Sequence, residues 1–324
     1  MDREIWAIAM ASVHRASRAV TDHEMGRRPT WPTWLIVAMD LWRTWHGQSL
    51  SWACDAGHYN SLFRPRRRTP DGRRLPSISQ FSRRVKSDAV QAILQRVDDE
   101  LSGRGIDATA VRFVDGKPVT VSPVSKDPDA AKGHVTGGFA KGYKLHAFVD
   151  DRRRIAVWSV MPLNVDEKPV ALAMAPHLLP APAAPLDGGL VAGCGLTMAD
   201  SNYDAAPLHK ALALITGDRL LATPKGQHQV GPAGHHPVTL RQMGPERREA
   251  LAVWRDHPDL ATFVHKQRNN IEGVFSVLTV ALGLSTLPAC VRRLARVRRW
   301  VGEKIILYHA RLLAQERAAK TAAA

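Results

Sequence analysis

The residue pattern of this chain changes from helical to strand-like near residue 109, and this change most limits how the chain can fold. Before it, apolar residues recur at helical spacing in TWPTWLIVAMDLWRTWHGQSLSWACD, where Pro32 is placed to begin a helix, Gly47 to end it and Ser49 to cap the next. After it, TAVRFVDGKPVTV, YKLHAFVDD and IAVWSVMP alternate apolar and polar residues or end in turns, which is typical of strands. The sequence therefore predicts a helical region followed by a sheet.

Helices and strands alternate after these three strands. The pattern predicts a helix in VDEKPVALAMAPHLL, a buried strand in GLVAGCGLTMAD, a helix in AAPLHKALAL that Asp204 caps, and a fifth strand in RLLATPK. This order is typical of an α/β domain in which helices cover the faces of a mixed sheet. A chain of 324 residues is long enough for about two domains, and we place them at residues 1–108 and 109–324.

The helical region contains a candidate DNA-reading motif. Ser77 or Ser79 is placed to begin a helix in SQFSRRVKSDAVQAILQRVDDEL. Together with the helices and the Gly turn before it, this helix is compatible with a helix-turn-helix that binds DNA. A helical bundle with a solvated basic loop explains the same pattern.

A surplus of basic side chains indicates a polyanionic partner. The chain carries 45 Lys and Arg against 30 Asp and Glu, a net charge of +15, which favours nucleic acid over an anionic membrane. Residues 60–86 hold nine basic side chains and one acid, and the last forty residues hold nine and two. We expect the dense arginines near the C-terminus to contact the DNA backbone from a helix: Arg292, Arg293, Arg296, Arg298 and Arg299.

Cysteine usage and hydropathy argue against several classes of protein. The three cysteines form no CxxC pair, which argues against a disulfide framework and a zinc ribbon. The start MDREIWAIAM has acids where a secretory signal carries positive charge. Prolines and Asp187 interrupt the most apolar region, residues 169–199, so it is not expected to span a bilayer. We therefore expect a cytoplasmic protein with no membrane partner.

Two carboxylates lie at the ends of predicted strands. Asp115 occurs in RFVDGKP, and Asp200 follows the apolar run GLTMA. Loops at strand ends are where α/β sheets gather catalytic groups. Converging, partly desolvated carboxylates repel one another, and a bound Mg²⁺ ion removes that penalty and supplies a Lewis acid. Turn formation or helix capping is the alternative for each aspartate alone.

A third acid occurs in the predicted helix ATFVHKQRNNIEGVFSVLTVALGL. Glu272 lies four residues after Arg268, so the two side chains are expected to project from one face of the helix. A helix salt bridge worth about 0.3–0.5 kcal/mol explains this spacing. The alternative is that Glu272 binds a metal ion while Arg268 binds a phosphate beside it.

Four segments in order, FVDGKP, GYKLHAFVD, MADSNYDAAPL and RNNIEGVFSVL, resemble the DDE transposases of bacterial insertion sequences. The resemblance covers most of residues 110–313 and implies a ribonuclease-H-like catalytic domain preceded by a helical DNA-binding region. By position, it makes Asp115, Asp200 and Glu272 the catalytic and metal-binding triad. It also assigns Arg268 to holding the transposon end.

The sequence departs from the pattern of this family at two flanking positions. Where the relatives have a tyrosine three residues before the arginine, this chain has His265, and Thr279 replaces a lysine seven residues after the glutamate. We expect His265 to take part in contacts with the terminal DNA. Lys117 and Lys144, near the proposed triad, are further candidates to contact phosphates.

The resemblance implies a metal-dependent activity on DNA. Two Mg²⁺ or Mn²⁺ ions would assist cleavage at the inverted repeats that end the element, and the freed 3′-OH would then be joined to target DNA. Bringing two ends together implies a homodimer on DNA, and the bacterial setting implies a cytoplasmic protein associated with the nucleoid. Two alternatives remain: a nuclease of the same fold without strand transfer, and a catalytically inactive DNA-binding regulator that descends from a transposase.

Overall fold

The computed structural model describes residues 2–20, 30–63, 75–103, 110–179, 184–186, 189–191, 195–223 and 244–323. Two features of the sequence prediction lie outside this described part. They are the basic loop RPRRRTPDGRR and the predicted domain boundary at residues 108 and 109.

The described α-helices are, in chain order, α1 (Arg3–Arg18), α2 (Thr33–Trp45), α3 (Leu50–Ala53), α4 (Ile78–Arg84), α5 (Asp88–Ser102), α6 (Glu167–Met174), α7 (Ala206–Thr216), α8 (Pro245–Asp256), α9 (Pro258–Lys266), α10 (Asn269–Ser276) and α11 (Leu294–Ala323). The described strands are β1 (Val111–Thr120), β2 (Ala131–Val135), β3 (Gly138–Asp150), β4 (Ile155–Pro162), β5 (Ala184–Leu186), β6 (Gly189–Val191), β7 (Gly195–Ala199) and β8 (Asp218–Ala222).

The chain divides into two compact units. The first unit comprises residues 1–103, 124–129 and 278–324, and the second comprises residues 104–123 and 130–277. The sequence placed everything after residue 108 in one domain, whereas the C-terminal helix belongs to the first unit. It does so because α11 packs against α1, α2 and α5 and buries an apolar face there.

Local signals in the first unit match the helices in part. Gly47 follows α2 with φ 69°, and the Ser49 hydroxyl accepts a hydrogen bond from Trp52 N at the start of α3, as predicted. Ser77 begins a helix as predicted, since its hydroxyl accepts a hydrogen bond from Gln80 N at the start of α4. The prediction of one continuous helix is wrong, because α4 and α5 are separate. Ser87 Oγ donates to Arg84 O between them, and such a local bond competes with helix continuation.

The second unit contains a mixed sheet. β1 pairs antiparallel with β3 and parallel with β7; β7 pairs parallel with β8, and β3 also pairs antiparallel with β2 and β4. Helices α6 and α7 pack on one face, and α10 contacts β1. The predicted α/β, ribonuclease-H-like class is confirmed.

Several elements differ from the sequence prediction. β2 was not predicted. The run GLVAGCGLTMAD contributes only β7 to the main sheet, since β6 pairs with β5 instead. The helix predicted over 261–284 is divided into α9, α10 and a π-helical turn, Val277–Ala281. Asp204 does not cap α7, because its carboxylate accepts two hydrogen bonds of 2.7 Å from the Arg247 guanidinium on α8.

A buried ion pair holds together the three strands β1, β7 and β8. Arg112 on β1 donates to both carboxylate oxygens of Asp218 on β8 at 2.7 Å, and the hydroxyl of Thr197 on β7 donates to Asp218 Oδ2 at 2.5 Å. Because all three side chains are buried, separating the strands would leave charges unpaired in an apolar interior. This pair therefore fixes the strands that position the candidate site.

No helix in the described part of the chain is long and apolar enough to cross a membrane.

Candidate active site

Asp115 and Asp200 lie on neighbouring parallel strands. Val111 of β1 is opposite Leu196 of β7, and Phe113 is opposite Met198. The same offset, continued by two residues, places Asp115 level with Asp200, which directly follows β7. Because paired residues of a parallel sheet share a face, the two carboxylates approach each other where β7 ends. Asp200 lies at a strand end as predicted, but the strand end predicted at Asp115 is wrong, because β1 continues to Thr120 in its pairing with β3.

The Asp200 carboxylate is held by local backbone. Its Oδ1 accepts a hydrogen bond of 2.8 Å from Asn202 N at the start of a 3₁₀ turn, Ser201–Tyr203. This capping contact was the alternative that the sequence left open, and the structure combines it with a position beside Asp115. Capping and a role in the site are compatible, since Asp200 Oδ2 is bonded only weakly, to the Asn202 amide at 3.5 Å.

The Asp115 carboxylate is mostly buried and lies near other acids. Its side chain is 18% exposed, and Oδ1 accepts a hydrogen bond of 2.7 Å from Gly116 N. Burial raises the pKa of Asp115 to about 6; the hydrogen bond from Gly116 and the charge of Arg268 oppose this, whereas the charges of Asp200 and Glu167 add to it. A cation beside Asp115 is therefore strongly favoured when the carboxyl is ionised.

Arg268 supplies such a cation. It lies at the turn between α9 and α10, where its Nη1 donates to Asp115 Oδ2 and its Nη2 to Glu272 Oε1, both at 3.1 Å. The expected pairing of Arg268 with Glu272 is thus present, and the same guanidinium also reaches Asp115. Glu272 is the most open of these groups, with 55% of its side chain exposed.

The described residues contain no group of three Asp, Glu, His or Cys side chains gathered closely enough to hold a metal ion. The guanidinium of Arg268 lies between Asp115 and Glu272, which explains why those two carboxylates do not meet. The available donors are nevertheless carboxylate oxygens, the ligands that suit Mg²⁺ and Mn²⁺. The buried Asp115 beside the like-charged Asp200 fits a divalent cation chemically.

Comparison with known proteins identifies the chain. A family model described as Transposase DDE domain matches residues 105–308, more than half of the chain. The protein belongs to the DDE-domain transposases. A solved structure, the cryo-EM structure of a piggyBac transposase synaptic complex with hairpin DNA, is 9% identical, with a TM-score of 0.46, and the match covers 99% of this chain and 74% of that one. No curated protein matches the sequence.

Membership of the family confirms the resemblance read from the four segments. Members of this transposase family are generally dependent on divalent metal ions. All three carboxylates that the resemblance selected lie in the second unit and within the matched residues.

Lys144 in this transposase is paired with an acid that the sequence did not select. Its Nζ donates to Glu167 Oε1 at 2.6 Å, and both side chains are almost buried. We expected Lys144 to contact phosphates, and Glu167, the first residue of α6, was not among the predicted site residues. A Cβ atom on Gly116 would lie 2.8 Å from Lys144 Cδ and 3.0 Å from Glu167 Oε1. The pair therefore packs against the backbone next to Asp115. Gly116 is the sequence feature that could have indicated this close packing.

The side chain of Tyr203 lies near the acids of the candidate site. Its side chain is fully buried, and burial raises its pKa well above the usual range, with the charges of Glu167, Asp115 and Asp200 adding to the shift.

Lys117 lies two residues after Asp115 on β1 and is partly exposed.

His265 of the transposase is within hydrogen-bonding distance of groups at the end of β7 and after β8. Its Nε2 lies 2.9 Å from the carbonyl oxygen of Ala199 and 3.1 Å from the Thr223 hydroxyl. Ala199 directly precedes Asp200, so these contacts link α9 to the strand end that carries the second aspartate. The structure thus gives His265 a supporting position in addition to the DNA contact expected from the sequence.

The arginines near the C-terminus differ in how far their side chains are exposed. Arg292 and Arg293 precede α11, and the backbone N–H of Arg293 donates to the carboxylate of Asp127. Arg296 and Arg298 are exposed on α11. The expectation for Arg299 is wrong, because its side chain is only 7% exposed and pairs with acids in the interior of the first unit.

Proposed function

We propose that this transposase cleaves DNA at the ends of a mobile element and joins the freed 3′-OH to target DNA. Asp115, Asp200 and Glu272 are the proposed catalytic and metal-binding residues. The observation that carries the proposal is the level placement of Asp115 and Asp200 on β1 and β7, with Glu272 tied to Asp115 through Arg268. It occurs inside the segment that matches the DDE domain.

The three carboxylates would hold Mg²⁺ or Mn²⁺ around the scissile phosphate. When bound, these ions supply Lewis acidity, activate a water molecule and stabilise the leaving oxygen. Asp115 contributes a carboxylate that is fixed by Gly116 N, and Asp200 contributes one that is fixed by Asn202 N. Glu272, which is more exposed, adds its carboxylate from α10.

Arg268 has a proposed role at the same site. While the carboxylates lack another cation, its guanidinium pairs with both Asp115 and Glu272 and offsets part of their charge. Once they are neutralised by other charges, the guanidinium is released and can bind a DNA phosphate through two parallel hydrogen bonds. Arg268 thereby holds the element end beside the carboxylates.

The proposed partners are the terminal inverted repeats and target DNA, which two copies of the chain bring together as a homodimer. Lys117 is proposed to contact phosphates beside the site. In the first unit, the exposed Arg292, Arg293, Arg296 and Arg298 are proposed to grip the DNA backbone. The protein would act wherever the cell holds its DNA, which is the nucleoid if the chain is bacterial.

The test is cleavage and joining of a labelled duplex that carries the inverted repeat flanking the gene, with and without Mg²⁺. Wild type should give a nicked product and a joined product, and both should disappear in Asp115→Asn. Asp151→Asn is the matched control, because Asp151 is an exposed acid in the turn after β3.

The other outcomes discriminate between the alternatives. Cleavage without a joined product would indicate a nuclease of the same fold. Binding without cleavage would indicate an inactive regulator. Equal cleavage by wild type and Asp115→Asn would overturn the assignment of the carboxylates.

A further inference from the structure

The β-hairpin formed by β2 and β3 has an unusual outer face. The strands are joined by the turn Thr136–Gly137, where Gly137 has a φ of 89°. Ala131 is opposite Gly142 and Val135 is opposite Gly138. The hairpin therefore extends beyond the part of β3 that pairs with β1, which reaches from Gly142 to Asp150, and shares only Gly142 with it.

One face of this hairpin is fixed against the rest of the unit. A Cβ atom on Gly133 would lie 2.6 Å from the backbone oxygen of Leu163, so the strand packs there without a side chain. Gly133 is opposite Ala140. Because side chains alternate along a strand, the neighbours of these two small residues must point to the other face.

That other face displays basic and aromatic side chains. Lys132 is opposite Lys141, and His134 is opposite Phe139. The rings of His134 and Phe139 lie 5.0 Å apart at an interplanar angle of 63°. Lys132 and His134 are exposed, and Phe139 is 78% exposed. From residue 130 to 149 the sequence contains no Asp or Glu.

The combination suits an anionic ligand. Lys132 and Lys141 are directly opposite each other, and like charges so placed on an antiparallel pair disfavour the pairing in general. A single exposed apolar residue needs no explanation, but an exposed phenylalanine flanked by two lysines matches what a polyanion with stackable rings requires. Proteins that enter DNA grooves combine lysine or arginine with an apolar wedge, often phenylalanine, that inserts between base steps.

The hairpin also lies in line with the candidate active site. Ala147 of β3 is opposite Asp115. Phe139 is eight residues earlier on the same strand, and by alternation it belongs to the same face of β3 as Ala147. At roughly 3.3 Å per residue this is about 26 Å, the length of about eight base pairs at 3.4 Å each. A duplex held at Asp115 is long enough to reach the hairpin.

We propose that the outer face of the β2–β3 hairpin binds DNA, with Lys132 and Lys141 on phosphates and Phe139, supported by His134, inserted between two bases. The proposal rests on the proposed function for the DNA that it contacts. A second copy of this chain is a poorer occupant, because a symmetric contact through this face would place the lysines of both copies together.

The test uses the full-length protein and duplexes of the flanking inverted repeat in which 2-aminopurine replaces one adenine at a time. The fluorescence of 2-aminopurine rises when its base is unstacked. Wild type should give one position of raised fluorescence, and Phe139→Ala should lose it and bind the duplex about tenfold more weakly, the size expected for one lost base–aromatic stack. Phe139→Trp should restore both.

The control is Leu214→Ala, since Leu214 is 72% exposed on α7 in the same unit. It should leave fluorescence and binding unchanged. Lys132→Gln should reduce the slope of log affinity against log salt concentration by about one. Equal melting temperatures of Phe139→Ala and wild type would show that the variant is folded.

Unchanged fluorescence and affinity in Phe139→Ala would overturn the proposal, as would a change in sedimentation of that variant without DNA, which would indicate contact between copies. Failure of the proposed function is distinguishable. Asp115→Asn should bind and unstack DNA like wild type, so loss of the signal only in Phe139→Ala supports the hairpin even if no protein cleaves.

Discussion

Each unit of this transposase contains a group in which two carboxylates surround arginine side chains. The helical charge network, in the first unit, consists of Asp40, Arg43, Arg299 and Glu303. The active-site ion pairs, in the second unit, consist of Asp115, Arg268 and Glu272. Both groups place two carboxylates around arginine, yet they differ in exposure and in what a change to each should do.

The helical charge network is closed to solvent. Arg43 contacts Asp40 at 2.5 Å, and Arg299 lies 3.3 Å from Asp40 and 3.7 Å from Glu303. Burial raises the pKa of Glu303 well above its usual range, whereas for Asp40 the opposing effect of burial is outweighed by Arg43 and Arg299, which lower its pKa. Every charge in this network depends on its partners inside the protein.

The active-site ion pairs are open at one end. Glu272 is more than half exposed and Arg268 is 19% exposed, so water can replace part of each contact. An ion pair that solvent can reach contributes little to stability and can be exchanged for a ligand. The comparison teaches that exposure, rather than residue type, separates an ion pair that holds a fold together from one that is available to function.

The largest effect that tests this comparison is expected for Arg299→Ala. Removing Arg299 leaves Arg43 as the arginine that faces both Asp40 and Glu303, and breaking a buried ion pair from one side is costly, so the free energy of unfolding should fall by about 3–5 kcal/mol. Urea denaturation measures it. Arg296→Ala, which changes an exposed arginine on the same helix, should shift stability by no more than about 0.5 kcal/mol. Equal losses in the two variants would contradict the comparison.

A buried cation beside the network provides the next largest effect. Lys304 is 2% exposed, and its ammonium lies 5.4 Å from the centre of the Trp300 ring. Burial lowers the pKa of Lys304 to about 8, with Arg43 adding and Glu303 opposing. Because the folded-state pKa is below that of the unfolded chain, stability should rise as pH increases from about 8 to 10.

Lys304→Met should remove this pH dependence. At 1.36 kcal/mol per pKa unit, the variant should be more stable than wild type at pH 7 by about 3 kcal/mol, and the difference should disappear near pH 10.5. Denaturation curves at pH 7, 9 and 10.5 measure it, with Lys320→Met as an exposed control on α11. A lower stability of Lys304→Met at pH 7 would show that the ammonium is compensated within the fold.

Local patterns predicted much of the second unit. Alternation identified β1, β3 and β4, and the spacing of Arg268 and Glu272 predicted their contact, because both depend on neighbours along the chain. Predicted strand ends also led to Asp115 and Asp200, although Asp115 lies in the middle of β1. Their level placement depends on the register of β1 and β7, which the buried pair of Arg112 and Asp218 helps to fix and which no short window of sequence contains.

Long-range packing explains the failures. The arginines near the C-terminus all look alike in sequence, and only the packing of α11 on α2 separates the buried Arg299 from the exposed Arg296. Glu167 was passed over because acids at helix starts are common, and its pairing with Lys144 bridges elements 23 residues apart. In both cases the decisive partner came from another element.

A smaller effect is expected at Arg268. Replacing it with Gln removes the cation that lies between Asp115 and Glu272, which should make the site more negative. The Kd for Mn²⁺ without DNA, measured by the loss of the free-ion EPR signal, should therefore fall by about tenfold, or about 1.4 kcal/mol. Arg248→Gln, an exposed arginine on α8, is the control. Weaker Mn²⁺ binding by Arg268→Gln would contradict competition between the guanidinium and the metal.

The smallest effect on stability is expected for Glu272→Gln. The change removes one solvent-exposed ion pair with Arg268, so the free energy of unfolding should alter by less than about 0.5 kcal/mol, while cleavage should be lost if Glu272 binds metal. The two measurements together decide the point. A loss of several kcal/mol would place Glu272 with Asp40 and Glu303 as a structural acid, whereas full stability with full cleavage would remove it from the site. We expect Glu272→Gln to keep the stability of wild type and to lose cleavage. Water can take the place of the exposed contact between Glu272 and Arg268, but it cannot take the place of a third carboxylate that binds metal.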